Sequence, residues 1–284
     1  MSGNHSTLLG QDTVYPEHYD PAVLTPIARH RVAHGAVSGE DIWNAFEVSW
    51  LRRDQVPQVA IGVFRVPAST PHLIESKSFK LYLNSLNQAS FDSVEDVRAV
   101  LLQDLTQAAG GAIDVRLSLP DDEGLIEEHA CVSPFFLAEH LYSLVSEEGS
   151  QDEGSLVCLD SLSLGAAGEE LSAGESDVTA EVLFSNLLKT NCPVTGQPDW
   201  ATVFVAYRGK AIDRAALLAY LVGLRQHQDF HEHCVEQIFA RLQSACQPER
   251  LLVYARYTRR GGLDINPWRA SFAATVPNLR LARQ

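Results

Sequence analysis

The sequence is poor in positive charge and poorest in lysine. Only Lys77, Lys80, Lys189 and Lys210 occur, and Lys plus Arg total 22 against 36 for Asp plus Glu, a formal net charge of −14. A chain this acidic tracks phosphate backbones poorly, so stable binding to DNA or RNA is not expected. Cysteine is sparse as well: Cys131, Cys158, Cys192, Cys234 and Cys246 are odd in number, widely spaced and without a C-x-x-C pair. That excludes a disulfide framework and reads as reduced thiols in a cytoplasmic protein. No apolar run approaches the ~20 residues that span a bilayer, and the N-terminal stretch lacks the apolar segment of a signal peptide. A soluble, intracellular chain is expected. There is no G-x-G-x-x-G after a strand and no G-x-x-x-x-G-K-[ST], so a Rossmann site and a P-loop are both excluded, and any nucleotide must be held another way.

What is present is core-forming. Hydrophobic residues make up 45% of the 284 and charged residues 20%, a globular composition with length enough for two domains. Residues 1–40, rich in Pro, His, Gly and Asp, read as an irregular arm, with structure beginning near Asp41. Segments 43–51 and 56–66 are β-rich and separated by Arg52-Arg53-Asp54-Gln55, which predicts a hairpin. Ser93 with Asp96 opens a helix by a capping box, Val97, Leu101, Leu105 and Ala108 continue it, and Gly110-Gly111 stops it. Residues 113–119 alternate as a strand. The acidic stretch 145–155 reads as a linker between domains 1–150 and 151–284, with a second soft stretch at 165–177. The second half repeats the grammar: a strand at Val203, Val205 and Tyr207, helical spacing over 211–225 and 231–246, and a closing strand through Leu251, Val253, Ala255 and Tyr257. The order of elements suggests an internal duplication. Antiparallel strands with helices on one face give an α+β class.

Four segments carry chemistry. Cys192 lies in Asn191-Cys192-Pro193-Val194-Thr195-Gly196-Gln197-Pro198-Asp199-Trp200. Pro193 suits the first turn of a helix, whose free N–H groups would lower the thiol pKa, and Asp199 is spaced to fold back as a proton donor. The bland alternative, a buried inert thiol, is preferred for Cys131, Cys158 and Cys246. In His231-Glu232-His233-Cys234, His and Cys are preferred zinc ligands, yet neighbours on a helix diverge by about 100°, so His231 and Glu232 do not easily chelate one ion. Two other readings stand beside zinc: a polar helix start with His233 facing solvent, or a heterocycle gripped by His231 and Glu232, the carboxylate accepting from a guanine-like N–H edge. Glu75-Ser76-Lys77-Ser78-Phe79-Lys80-Leu81-Tyr82 holds half the lysines, either a solvated strand face or a phosphate site. Arg256, Arg259 and Arg260 before Gly261-Gly262 make a phosphate cradle.

Together these segments resemble the 7-cyano-7-deazaguanine reductase family, the NADPH-dependent nitrile reductases of queuosine biosynthesis. ESKSFKLYLNS at 75–85, NCPVTGQPDW at 191–200, FHEHC at 230–234 and RYTRRGGLDINPWR at 256–269 carry the resemblance. So do Tyr15-Pro16, Tyr19-Asp20-Pro21, Asp41-Ile42-Trp43 and Ser49-Trp50-Leu51, in the order of the family's long, two-module type. The resemblance implies two tandem tunnelling-fold modules, similar to those of GTP cyclohydrolase I, associating as a homodimer. It implies reduction of a nitrile to a primary amine with two NADPH, through a thioimidate on Cys192 with Asp199 as proton donor. It implies that Glu75, Ser76, His231 and Glu232 hold the deazapurine substrate, that Ser76, Lys77, Arg260 and Gly261 contact NADPH, and that no metal takes part. A zinc-dependent pterin or GTP cyclohydrolase-like enzyme, with Cys192, His231 and Cys234 as ligands, is the rival enzyme reading. A non-catalytic purine- or pterin-binding module is the rival outside enzymes.

Overall fold

The computed structural model describes residues 15–29, 36–122, 130–146, 155–164, 170–175 and 177–284. Most of the first soft acidic stretch (147–154) and the start of the second (165–169) lie outside the described residues. The described part of the arm, 15–29 and 36–40, is more ordered than its composition predicts. Asp20 caps a 3-10 turn at Pro21–Val23, the backbone N–H of Asp20 donates to Ser85 Oγ at 3.2 Å, and Tyr19 donates to Asp104 at 2.6 Å. Strand β1 (Pro26–Ala28) then precedes β2 (Ser38–Leu51), which starts before Asp41. Specific side-chain anchors, invisible to periodicity, order this segment.

Strands β2 and β3 (Pro57–Pro67) form the expected hairpin, from Glu40↔Pro67 to Leu51↔Pro57, with a bulge between Ala45 and Val48. Strand β4 (His72–Ile74) pairs with β1. Helix α1 (Ser76–Ser85) comes next, where the sequence allowed a charged strand face. Helix α2 (Val94–Ala109) starts at the expected Ser93 cap: its Oγ accepts from Asp96 N–H at 3.2 Å, but the Asp96 carboxylate accepts from the Ser93 hydroxyl at 2.7 Å and not from its backbone N–H, so the capping box is half made. It ends at Gly110 in the left-handed region. After β5 (Asp114–Ser118) and β6 (Cys131–Val132), helix α3 (Pro134–Val145) is an element the sequence reading passed over. Strand β7 (Ser155–Cys158) leads to the hairpin of β8 (Thr179–Asn191) and β9 (Pro198–Gly209). Helices α4 (Arg214–Gly223) and α5 (His231–Cys246), strands β10 (Arg250–Tyr257) and β11 (Leu263–Ala270), and short β12 (Arg280–Leu281) complete the chain.

One eight-stranded sheet runs β5-β3-β2-β11-β10-β9-β8-β7. All its pairings are antiparallel except β7 with β8. The halves of the chain meet where β11 pairs with β2, from Leu263↔Ala45 to Ala270↔Ser38. The architecture mixes α and β as expected, but helices cover both faces. On one face α1 and α2 pack on Trp43, Ala45, Phe64 and Val66, and α4 and α5 pack on Leu183, Val203, Val205, Leu251 and Val253. On the other face Leu137, Leu141 and Val145 of α3 meet Val182, Phe184, Phe204 and Leu252. The central strands are therefore buried on both sides, and each fully buried aliphatic side chain contributes about 1.5–3 kcal/mol.

The duplication is visible in the elements. Strands β2 and β8 each carry a bulge, at Ala45/Val48 and Ser185/Leu188. Aligned on their last residues, their burial patterns coincide. Each is followed by a hairpin partner, two helices and another strand.

Candidate active site

Strand β8 delivers Asn191 into a tight turn. Cys192 N–H donates to Gln197 C=O and Gly196 N–H to Cys192 C=O, both at 2.9 Å. The helix expected to begin at Pro193 is absent; the hairpin closes too soon for one. The turn does the same electrostatic work. Burial pushes the Cys192 thiol up, but the Thr195 hydroxyl, the N–H groups of Thr195 and Val194 and the Arg260 side chain hydrogen-bond it and hold it below its ordinary value of 9.0.

Asp199 is the second residue of β9, opposite Thr190 in register and 6% exposed. One carboxylate oxygen lies 3.3 Å from His231 Nε2 and the other 3.1 Å from Arg260 Nη1. That guanidinium nitrogen is buried with no hydrogen bond of good geometry, so its contact with Asp199 is an ion pair. His231 opens α5, and its ring stacks on Tyr257 of β10 at 3.8 Å and 11°. The stacked phenol resists tilting of the imidazole toward it.

Cys192, Pro193, Asp199, Asp229, Phe230, His231, Glu232 and Arg260 line one cleft of about 290 Å³, open to solvent. Ser76, Ile74, Trp43 and Ile265 complete it. Glu232 is 2% exposed. Burial first, and the Asp41 carboxylate second, push it up to about 7, with Arg29 and His233 pulling the other way. Asp41 itself sits between Arg29 at 2.5 Å and Arg269 at 2.9 Å. Those two cations outweigh its burial and hold it below the usual carboxylate range.

The other expected site residues divide. Glu75 is the N-cap of α1, its carboxylate accepting from Lys77 N–H at 2.9 Å and Ser78 N–H at 2.7 Å, and it is not among the residues lining the cleft. Ser76 faces the cleft; Lys77 is exposed and does not line it. Gly261 has φ +59°, and a Cβ there would come within 3.3 Å of the Lys80 stem, so the β10–β11 turn carrying Arg260 lies directly against Lys80. Burial and the neighbouring Arg260 hold the Lys80 ammonium below its ordinary value, against the pull of Glu75, Asp199 and Cys192.

Lys80 lies in the lysine-bearing segment but has no role in the sequence analysis. A helix starting at Ser76 places Lys80 on the same face one turn on. The phosphate cradle is corrected in part. Arg260 faces the cleft, but Arg256 points through the opposite face of the sheet to Gln284, Tyr254 and Asn278 at 2.9, 2.6 and 2.7 Å. Arg259 lies over the Phe46 ring, 3.5 Å from its centroid. His233, which one of the three readings of its segment set on the solvent face, is 5% exposed and pairs with Asp229. Cys234 is buried, and burial pushes its thiol up to about 12. Of the thiols expected inside, Cys246 is buried, but Cys131 is exposed and Cys158 half-buried. Among the described residues, no three His, Cys, Asp or Glu side chains converge as a metal site, and no helix is long and apolar enough to cross a membrane.

Residues 15–117 match the family described as nitrile reductase, 7-cyano-7-deazaguanine-reductase N-term, and residues 198–275 match the QueF-like protein family. The NADPH-dependent 7-cyano-7-deazaguanine reductase of Bordetella avium is 48% identical over 286 residues, covering 97% of each chain. Those of Chromobacterium violaceum and Chromohalobacter salexigens are 46% and 47% identical, over 97% and 100% of this chain and 96% and 100% of their own. The solved apo form of the archaeosine synthase QueF-Like overlaps 36% of this chain and 100% of its own at TM-score 0.31 and 13% identity, too slight a likeness to weigh.

Proposed function

The chain belongs to the NADPH-dependent 7-cyano-7-deazaguanine reductases, and on that premise we propose that it reduces the nitrile of 7-cyano-7-deazaguanine to an aminomethyl group through a covalent thioimidate on Cys192. A nitrile carbon is a weak electrophile, and capture by a thiolate divides one difficult reduction into easier steps. Asp199 takes up the Cys192 thiol proton as the sulfur adds to the carbon, and passes it to the nitrogen as the π electrons move there. One C–S and one N–H bond form, one S–H bond and one C–N π bond break, and the carboxylate is regenerated. Arg260 and His231 hold the Asp199 carboxyl group in place for that delivery. Glu232 accepts from the N–H edge of the deazaguanine. Glu75 joins it with its helix-cap bonds intact, since a carboxylate offers further lone pairs, and Ser76 and His231 complete the substrate contacts.

The residues present suit NADPH. Lys80 and Arg260 are partly buried cations side by side next to the cleft, and a phosphate-bearing ligand would relieve their mutual repulsion. Ser76, Lys77, Arg260 and Gly261 would hold it, with Lys77 exposed for a peripheral phosphate. NADPH, when bound, supplies the hydrides. By this reading the product enters queuosine biosynthesis in the cytoplasm, with no direct contact to nucleic acid. We propose also that 1–150 and 151–284 are two tunnelling-fold modules, which their matched bulges support, and that the enzyme is a homodimer.

The observation that carries the reading is a hydrogen-bonded, acidified thiol sharing one cleft with a carboxylate clamped by an imidazole and a guanidinium. Protein, the cyano-deazapurine and NADPH together should yield the aminomethyl product with two NADPH oxidised per turnover. NADPH left unconsumed in the presence of the nitrile would sink the reading.

A further inference from the structure

Nucleophile and imidazole sit on different elements, Cys192 after β8 and His231 at the start of α5, and residues 225–230 connect the elements that carry them. The 16-residue helix α5 starts without an ordinary cap: Phe230 is its N-cap and makes no side-chain cap hydrogen bond. Asp229, one residue earlier, takes over. Its Oδ1 accepts from Phe230 N–H at 2.8 Å and lies 3.0 Å from Nδ1 of His233, one position beyond Glu232 in the first helical turn. Its Oδ2 lies 3.7 Å from His227 Nε2. The same segment is tied to the strand end. Asp229 N–H donates to Asn191 C=O at 3.2 Å, and Asn191 N–H donates to His227 C=O at 2.8 Å. Lys189 fastens the far end, donating to Asn191 Oδ1 and to Arg225 C=O, both at 2.6 Å. Asn191, the residue before the nucleophile, is thus bonded on its N–H, its C=O and its side chain to this one system.

We propose that Asp229 and His233 are a positioning pair, holding Cys192 in register with His231 and Glu232, with Lys189 as the second fastening. The inference rests on the proposed reaction for its rate consequence but on geometry alone for its existence. Neither residue need touch the reacting atoms. Misplacement of reacting groups by about 1 Å costs on the order of 100-fold in rate, while the Cys192 thiol keeps its own hydrogen bonds within the turn. Loss of the pair should therefore slow capture of the nitrile without changing the intrinsic reactivity of the sulfur.

The test compares His233→Leu, Asp229→Ala and His233→Asn, the last keeping an N–H where Nδ1 stands and the second removing the Oδ1 that accepts both bonds. Three readouts apply: the single-turnover rate of nitrile adduct formation, peptide-resolved alkylation of Cys192 by iodoacetamide, and amide hydrogen exchange at Asn191 and position 229. Adduct formation should fall about 10-fold or more in His233→Leu and Asp229→Ala and stay within about threefold in His233→Asn. Alkylation should be unchanged in all three, and exchange should quicken only in the first two. An adduct rate in Asp229→Ala equal to wild type, or a His233→Asn protein as slow as His233→Leu, overturns the pair. If His233→Leu does not fold, Asp229→Ala and the exchange data decide. A wild type that forms no adduct overturns the reaction instead, and unchanged exchange in Asp229→Ala then overturns the pair by itself.

Discussion

Two opposed effects meet at the Cys192 sulfur: burial favours the thiol, and donors from its own turn and from Arg260 favour the thiolate. The donors win, and the Thr195 hydroxyl is the strongest of them. A hydrogen bond to a charged group is worth about 1.5–3 kcal/mol, so Thr195→Val should raise the Cys192 pKa, read from the pH dependence of its alkylation. A midpoint that does not move contradicts this account of the turn. Asp199→Asn should lower turnover by about 100- to 10,000-fold with substrate affinity little changed, because its task is proton delivery; a large affinity loss at wild-type turnover would reverse the assignment. Glu232 makes a pH prediction. Its pKa in the folded protein, about 7, lies above the ordinary 4.5, so the neutral form favours folding. That contribution is complete below pH 4.5 and is lost as pH rises through 7. The groups facing it are Asp41, Arg29 and His233. Glu232→Gln, always neutral, should match wild type near pH 4.5 and exceed it at pH 8 by on the order of 1–3 kcal/mol in denaturant unfolding. Equal stability at both pH values would refute the shift. At this scale the sequence was informative about identity and weak about direction. Alternation along β10 already sets Arg256 on the face opposite Tyr257, yet a cluster of three arginines before two glycines hides that period.

Among the elements, α1 shows how a wrong local reading conceals a site. Its polar, lysine-bearing sequence resembles a solvated strand, but Glu75 caps it and Phe79, Tyr82 and Leu83 bury one helical face. The cap sets where Ser76 and Lys80 stand. Glu75→Ala removes both cap bonds and should cost about 1 kcal/mol, roughly 2–4 °C in thermal unfolding; an unmoved transition means the helix start is fixed by packing alone. Helix α2 was legible because its signals are local, a serine cap and a glycine stop. Helix α3 was missed although it too has a local signal, Ser133 accepting from Phe136 N–H ahead of Pro134. Its buried residues Leu137, Ala138, Leu141 and Val145 also recur at helical spacing, but the exposed Phe135 and Phe136 beside them blur that stripe.

For the whole molecule, the consequential feature is the seam between β2 and β11. Pairing across it joins the halves into one sheet and brings Trp43, Ile74 and Ser76 from the first half to a cleft whose reactive groups come from the second. The repeated order of strands and helices was readable as grammar; the pairing of the halves was not, because register between distant strands has no local signature. The chemistry attributed to this cleft is decided by mass spectrometry of the protein mixed with the cyano-deazapurine before any NADPH is added. One substrate mass should appear on the peptide bearing Cys192, vanish on addition of NADPH and be absent from Cys192→Ala. An unmodified wild-type chain, or an equal adduct on the Cys192→Ala protein, would contradict the account.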